Sequence, residues 1–332
     1  MAVSKIISDS KLDKYLHGNS KVQKVEALLK EQIDSWALAS KNYKDISSIK
    51  KKEFNFDAFK IILQFNPGRM ISSSAKVDLK SINERPCFLC PHHLPVEQSG
   101  LQCNDNYLLL VNPFPIFDEH FTIPLFNHEP QQIHQNFADM LLIVKELGEK
   151  YTLFYNGPKC GASAPDHMHF QASPKNEMPV EREMNTLLKS AKVLSTNNTT
   201  SVYAVSKYLR DLFLIESNDI NSVKEEFNKL YNSIQNVFKV NDEPLLNVII
   251  TFEKVWRVFV FPRKAHRAKE FFLEGDEKVL LSPASVDFGG LLITPRKKDF
   301  DKITKENIIN LFQQTSVDEI MFQEIIEKFE SS

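Results

Sequence analysis

Two groups of residues have the types and spacing that chemistry needs. The first is Asp166-His167-Met168-His169-Phe170-Gln171, where two of the nine histidines stand one residue apart and an amide follows at the next alternate position. On a strand, alternate side chains share a face about 6.7 Å apart. His167, His169 and Gln171 then project together, while Met168 and Phe170 point the other way into apolar packing. Burying three such groups without partners would cost roughly 1–3 kcal/mol each, which argues against a plain core. Just upstream, "YNGPKCGASAPD" supplies Asn156, Gly157, Gly161 and Ser163. Small residues let backbone N–H groups approach an anion, and Asn and Ser add side-chain donors. An imidazole beside that cradle suits nucleophilic attack on phosphorus, since an ordinary pKa of about 6.5 leaves it neutral near pH 7. Its second ring nitrogen needs a fixed acceptor to hold the tautomer, often a backbone carbonyl. The alternative is a pair of ordinary core histidines.

The second group is Cys87-x-x-Cys90, in "RPCFLC". Tetrahedral zinc needs two further ligands, and His92, His93, His120, His128 and His167 are available. Two buried reduced thiols are the bland alternative. A redox dithiol fits less well, because nothing places this pair at the start of a helix in a βαβ unit.

The elements that must hold these residues are legible from periodicity. Residues 21–45 carry apolar residues at helical spacing, whereas Phe59, Ile61, Leu63 and Phe65 alternate as a strand running into the turn-like "NPGR" at Asn66–Arg69. After a polar stretch at 72–86, "NYLLLV" (106–111) reads as a strand. "FTIPLF" (121–126) reads as an edge or strand-end segment because of its proline. Residues 130–151 form a helix with Ile133, Phe137, Val144 and Leu147 on one face. "YTLFYN" is a strand, and the His-x-His stretch follows as another. A helix over 220–238 precedes a hairpin of "LLNVIITF" and "VWRVFVFP" joined at Glu253-Lys254. "GGLLITP" adds a strand, and two helices close the chain, the last opening at the capping-box-like "SVDE" (316–319). Hairpin-linked strands interleaved with helices give an α+β fold with antiparallel sheets. The polar "STNNTTS" (195–201) is the best candidate boundary.

Composition narrows the partners. The chain has 332 residues, 42% hydrophobic, with 41 basic against 43 acidic residues. That balance supplies no basic face for nucleic acid. No apolar run approaches the ~18 residues of a membrane span, and the first residues show no secretory pattern. Four cysteines are too few for a disulfide scaffold. The chain reads as soluble and cytoplasmic.

"NGPKCGASAPDHMHFQ" resembles the N-x-G…G-x-S-x-P-H-x-H-x-Q signature of the galactose-1-phosphate uridylyltransferase family, in the histidine-triad (HIT-like) superfamily. The loop is one residue shorter before Gly161-Ala162-Ser163, and Asp166 is one residue extra before His167. A resemblance covering roughly residues 55–330 is to the GDP-hexose phosphorylases of the GDP-L-galactose phosphorylase-like branch. It rests on "QFNPGRMISSSAKVD", "NPFPIFDEHFTIPLFNHEPQQI", "HMHFQA" and "LLSPASVDFGGLLITPRKKDFDKIT". The resemblance implies HIT-like antiparallel sheets flanked by helices, built as two related half-units packed as one molecule. Residues 1–50 would be an N-terminal helical segment, 51–195 the catalytic half with the zinc site and 196–332 the C-terminal half.

By the same resemblance His169 is the nucleophile, Gln171 stands where the hydrolase branch has its third histidine, and Asn156, Gly161 and Ser163 contact phosphate. "RPCFLC" is similar to the zinc-binding segment of the uridylyltransferases, which implies structural Zn2+ on Cys87, Cys90, His167 and His128, with His120 as runner-up. Arg69, on the loop after a strand, suits bidentate phosphate binding, and Arg263 is a weaker candidate of that kind. The implied enzyme is a nucleotidyltransferase or phosphorylase that takes a nucleoside diphosphate sugar through a nucleotidyl-histidine to phosphate or a sugar 1-phosphate. Its partners would be substrate and phosphate, not nucleic acid or membrane, and the family suggests a homodimer. The rivals are a diadenosine tetraphosphate phosphorylase, a hexose-1-phosphate uridylyltransferase and, from another class, a non-catalytic zinc-stabilised nucleotide-binding protein.

Overall fold

The computed structural model describes residues 5–70, 78–148 and 150–332. The polar stretch noted at 72–86 lies partly outside them. Thirteen strands form two sheets among the described residues. β1 (Lys50–Asn55) and β2 (Lys60–Phe65) pair as a hairpin, and β13 (Leu291–Thr294) joins β2 in parallel. The remaining ten are β3 (Gly100–Cys103), β4 (Tyr107–Val111), β5 (Phe121–Pro124), β6 (Tyr151–Asn156), β7 (His169–Pro174), β8 (Lys192–Thr196), β9 (Thr200–Val205), β10 (Leu212–Ser217), β11 (Leu246–Phe252) and β12 (Trp256–Pro262). They make one sheet in the order β3-β4-β5-β7-β6-β11-β12-β10-β9-β8.

That order is a repeat. Three strands, the helix Ile133–Leu147 and two strands build the first half. Three strands, the helix Ile220–Phe238 and two strands build the second, with the same neighbour order counted outward from the join. The halves fuse where β6 pairs antiparallel with β11, Asn156 opposite Asn247. The sheet is wholly antiparallel; the parallel β2–β13 pair is the exception to that expectation. It ties residue 62 to residue 291 across the halves. The boundary placed at 195/196 falls inside β8, and the polar 195–201 stretch spans the end of β8, the hairpin loop at 197–199 and the start of β9.

Strand alternation sorts the core into two layers. Leu153, Tyr155, Phe170, Ala172, Val248 and Val258 face a layer formed with the helices Lys21–Ser35, Ile133–Leu147, Ile220–Phe238 and Glu319–Glu330. Phe154, Ile249, Phe259 and Phe261 face the opposite side, beneath the three-stranded sheet and the helices Pro179–Leu187 and Lys305–Thr315. Several boundaries differ from the periodic reading. The helix over 21–45 breaks at Trp36, whose backbone is extended (φ −115°, ψ 104°) and whose buried side chain lines a cavity. The last helix is capped by Asp318, which accepts from Met321 N at 3.0 Å, and not by Ser316. β5 lies inside the sheet, between β4 and β7, with its proline at the strand end. No helix among the described residues is long and apolar enough to cross a membrane.

Candidate active site and metal centre

A cavity of about 380 Å³ opens on the sheet face away from the large helices. His169 and Gln171 line it from β7, Phe154 and Asn156 from β6, and Thr122 from β5. The backbone explains why His169 is held where it is. Opposite it stands Pro124, which has no N–H to give the ladder. The buried amide of Gln131 fills the gap: its Oε1 accepts from His169 N at 2.8 Å, and its Nε2 donates to His169 O at 3.0 Å and Asn156 O at 2.9 Å.

The tautomers follow from the fixed partners. His169 Nδ1 lies 2.8 Å from the carbonyl of His167, which can only accept, so Nδ1 carries the proton and Nε2 keeps its lone pair. Burial pushes the ring's pKa down to about 4, which keeps it neutral. His120 Nδ1 accepts from Ile116 N at 3.2 Å, so its Nε2–H donates to Gln171 Oε1 at 3.0 Å. With Oε1 engaged, Gln171 turns its NH2 group, a pure donor, toward the cavity. Burial lowers His120 to about 3, so it too is neutral. His120 therefore orients Gln171 and stands outside the metal-ligand group.

Asn156 is oriented in the same way. Its Oδ1 accepts from Ser285 N at 2.8 Å and from Asn247 Nδ2 at 3.2 Å, leaving its amide N–H groups for the cavity. Arg263 completes that relay and does not face phosphate. Fully buried, it donates to Asn247 Oδ1, Pro283 O, Ala265 O and His266 O, and packs over Phe288. Gly161 adopts φ +101°, and a Cβ there would meet Ala284 Cβ at 2.6 Å, so only glycine lets this loop pass against residue 284. Gly161 and Ser163 both line the cavity.

Arg69 also lines it. Gln64 Nε2, Asn66 Nδ2 and Arg69 Nη1 donate to the successive carbonyls of Ile116, Pro115 and Phe114, so this segment clamps the loop before β5. Burial lowers the Arg69 guanidinium to about 10, which leaves it charged at neutral pH. Asp287 is the acid on the wall. Burial raises it to about 6, and both its oxygens are occupied by the N–H groups of Ala284 and Ile293.

Beside the cavity, Cys87, Cys90, His128 and His167 bring one ligand atom each within 4.8 Å of one another. Cys87 Sγ is 3.2 Å from His167 Nδ1, Cys90 Sγ is 3.3 Å from His128 Nδ1, and Cys90 Sγ is 3.6 Å from His167 Nδ1. Metal–sulfur and metal–nitrogen bonds of zinc length in a tetrahedron separate S and N by roughly 3.5 Å. His167 Nε2–H donates to Leu125 O at 2.8 Å, which aims the Nδ1 lone pair at the thiols and supplies the outer partner such ligands use. The donor set fits a structural divalent ion. His167 precedes β7 and does not belong to its ladder, yet it faces away from Met168 and joins the strand face through its own carbonyl. His92 and His93 form a second, exposed group with Cys90. Asp166 pairs with Arg85 at 3.0 Å, and Arg85 also reaches Ser163 O at 3.3 Å, so the extra residue of this loop fastens it to the segment before Cys87.

Residues 28–174 match DUF4922, a domain of unknown function, and residues 183–330 match the GDPGP1-like C-terminal domain. GDP-L-galactose phosphorylase 2 of Arabidopsis thaliana is 26% identical over 232 residues, 67% of this chain and 51% of that protein. The chain thus spans about half the length of the curated relative it matches. Among solved structures, yeast Ap4A phosphorylase Apa2 in complex with AMP superposes with a TM-score of 0.58 at 19% identity, covering 87% of this chain and 96% of that one. Apa2 alone gives 0.53 at 16%, covering 87% and 94%. Fold and matches together define the class by architecture: an α+β protein with HIT-like structural neighbours. Within that architecture, residues 183–330 are similar to the GDPGP1-like C-terminal domain.

Sequence reasoning passed over Gln131, Asn247, Arg85 and Asp287. Gln131 had a signal, since "EPQQI" lies within a segment similar to the GDP-hexose phosphorylases.

Proposed function

We propose that this protein is a nucleotidyltransferase that phosphorolyses a nucleoside diphosphate hexose through a nucleotidyl-His169 intermediate. The observation that carries the reading is the His169 tautomer: Nδ1–H fixed on the His167 carbonyl and a free Nε2 on the cavity wall, beside two amides, Asn156 and Gln171, turned to donate. The Nε2 lone pair attacks the α-phosphorus, a P–N bond forms, and the P–O bond to the distal phosphate breaks, releasing hexose 1-phosphate with that electron pair. Phosphate then attacks the same phosphorus, the P–N bond breaks, and the pair returns to Nε2. The Nδ1–H stays on its carbonyl throughout and shares the positive charge of the intermediate. Gln171 and Asn156 stabilise the charge gathering on the phosphoryl oxygens. An amide at position 171 cannot protonate a leaving group or activate water, which favours transfer over hydrolysis.

The ion held by Cys87, Cys90, His128 and His167 is zinc in this reading, given the thiolate–imidazole donor set. Bound there, it would supply structural cross-linking of the Cys87–Cys90 turn to the segment that carries His169. Hexose is preferred to a second nucleoside as the distal group because the curated relative is named a GDP-L-galactose phosphorylase.

The test is incubation with α-labelled GDP-hexose, UDP-hexose or diadenosine tetraphosphate, with and without phosphate. A labelled protein adduct should form, and phosphate should discharge it. His169→Gly should form none while keeping the wild-type melting temperature within a few degrees. No adduct and no phosphate-dependent nucleotide release with any donor sinks the proposal, and an active His169→Gly refutes the nucleophile.

A further inference from the structure

The second half of the chain contributes a cation to the same cavity. Arg267 lies in the segment after β12, and its Nε donates to Ser282 Oγ at 2.8 Å. Ser282 Oγ also lies 3.3 Å from His266 Nε2, so the hydroxyl is held from both sides. The ring of Phe271 packs against the guanidinium at 4.0 Å. One bond at Nε and one aromatic face thus fix the plane, while neither terminal nitrogen has a protein partner among the described residues. Arginines away from the cavity wall pair with carboxylates, Arg85 with Asp166, Arg257 with Glu216 and Arg296 with Asp299. Among the described residues the one carboxylate on the cavity wall, Asp287, is filled by backbone N–H groups. A pre-set, uncompensated guanidinium fork has the geometry for two oxygens of a phosphoryl group.

The geometry points to a distal-phosphate subsite formed by Arg267 and Ser282, which holds the leaving hexose phosphate and then the attacking inorganic phosphate. This deepens the nucleotidyl-transfer reading and rests on it. Pro283 and Ala284, next to Ser282, abut Gly161 in the loop before His169, so the fork shares the wall on which the reacting phosphorus would sit. The P–O bond that breaks in the first step and forms in the second would have its far oxygens on Arg267. His266, neutral through burial and the adjacent Arg267 and Arg263 charges, positions Ser282 and takes no proton.

The experiment uses the full chain, wild type against Arg267→Gln and Arg267→Lys. Adduct is formed with labelled donor in the absence of phosphate, freed of excess donor, and mixed with inorganic phosphate. Loss of a charge-assisted fork should lower the second-order discharge rate at least about tenfold in Arg267→Gln. Arg267→Lys should fall between, and discharge by water should be unchanged. In parallel, calorimetry should show inorganic phosphate binding to the resting wild-type protein and weakening by a similar factor in Arg267→Gln. Equal discharge rates in all three proteins overturn the subsite, as does equal phosphate binding. Absence of adduct on wild type with every donor defeats the nucleotidyl-transfer reading instead, and the binding arm still decides the subsite. Should Arg267→Gln fail to fold, Arg267→Lys carries both arms.

Discussion

Gln131 gives the sharpest prediction, because one side chain holds the candidate nucleophile's backbone on both sides. Replacing it by methionine keeps the volume and removes all three hydrogen bonds. The N–H of His169 then faces Pro124 with nothing to bond, and two carbonyls lose a donor. Each orphaned buried group costs roughly 1–3 kcal/mol, and adjustment of the neighbours recovers part of that, so a net loss of about 3 kcal/mol is expected. Unfolding entropy for 332 residues is roughly 0.7 kcal/mol/K, so the melting temperature should fall by about 4 °C. Calorimetry reads that number. The kinetic effect should be larger: misplacing a nucleophile by about 1 Å costs on the order of a hundredfold. The rate of adduct formation, measured well below the transition and normalised to folded protein, should drop to that extent. A variant that melts about 4 °C lower yet forms adduct at the wild-type rate refutes the clamp as a positioning device. A variant with unchanged melting refutes the hydrogen-bond reasoning itself.

Metal content and pH supply further tests. Purified protein should carry about one zinc per chain by atomic absorption, and Cys87→Ser should lose it together with thermal stability; metal-free wild type melting alongside Cys87→Ser removes the metal centre. Glu243 accepts from Tyr155 Oη at 2.7 Å and from Ile133 N, and burial raises it to about 7. Its folded pKa exceeds the ordinary 4.5, so the stabilisation from proton uptake is fully present below about 4.5 and is lost as pH rises through about 7. Denaturant titrations at pH 5 and 8 should show wild type losing stability over that window, while Glu243→Gln, which keeps an acceptor oxygen, loses much less; parallel curves refute the assignment.

The legible parts of this protein were those written in short-range patterns. Period-two alternation at 166–171 put His167, His169 and Gln171 on one face away from Met168 and Phe170; the cavity takes His169 and Gln171, while His167, before the strand begins, turns to Cys87. Periodicity also found the helix Ile220–Phe238 to the residue. It passed over β8–β10, because "LFLIES" is buried on both faces and shows no alternation, and the polar loop before β9 resembled a boundary. Arg69 and Arg263 looked alike in sequence, each an arginine after a strand and a proline. Only tertiary contacts separate them, since Arg263 spends its donors on Asn247 and three carbonyls whereas Arg69 keeps donors for the cavity. Gln131 bonds residues 25 and 38 positions away, a distance at which no local pattern carries information.

The repeated strand order has a consequence for how this protein can change. Where β7 presents His169 and Gln171 to the cavity side of the sheet, its counterpart β12 presents Phe259 and Phe261 to the core on that side. One copy of the scaffold keeps the candidate reacting groups; the other, relieved of them, supplies His266, Arg267, Ser282 and Asp287 to the shared wall. Substitutions in the second copy can therefore reshape what is bound without touching the candidate nucleophile, the carbonyl that sets its tautomer or the Cys/His group beside it. Tolerance to mutation should be lopsided: apart from Arg263, Ser285 and the Arg267–Ser282 pair, residues 263–293 are the place where substrate preference drifts, and residues 120–171 the place where it cannot.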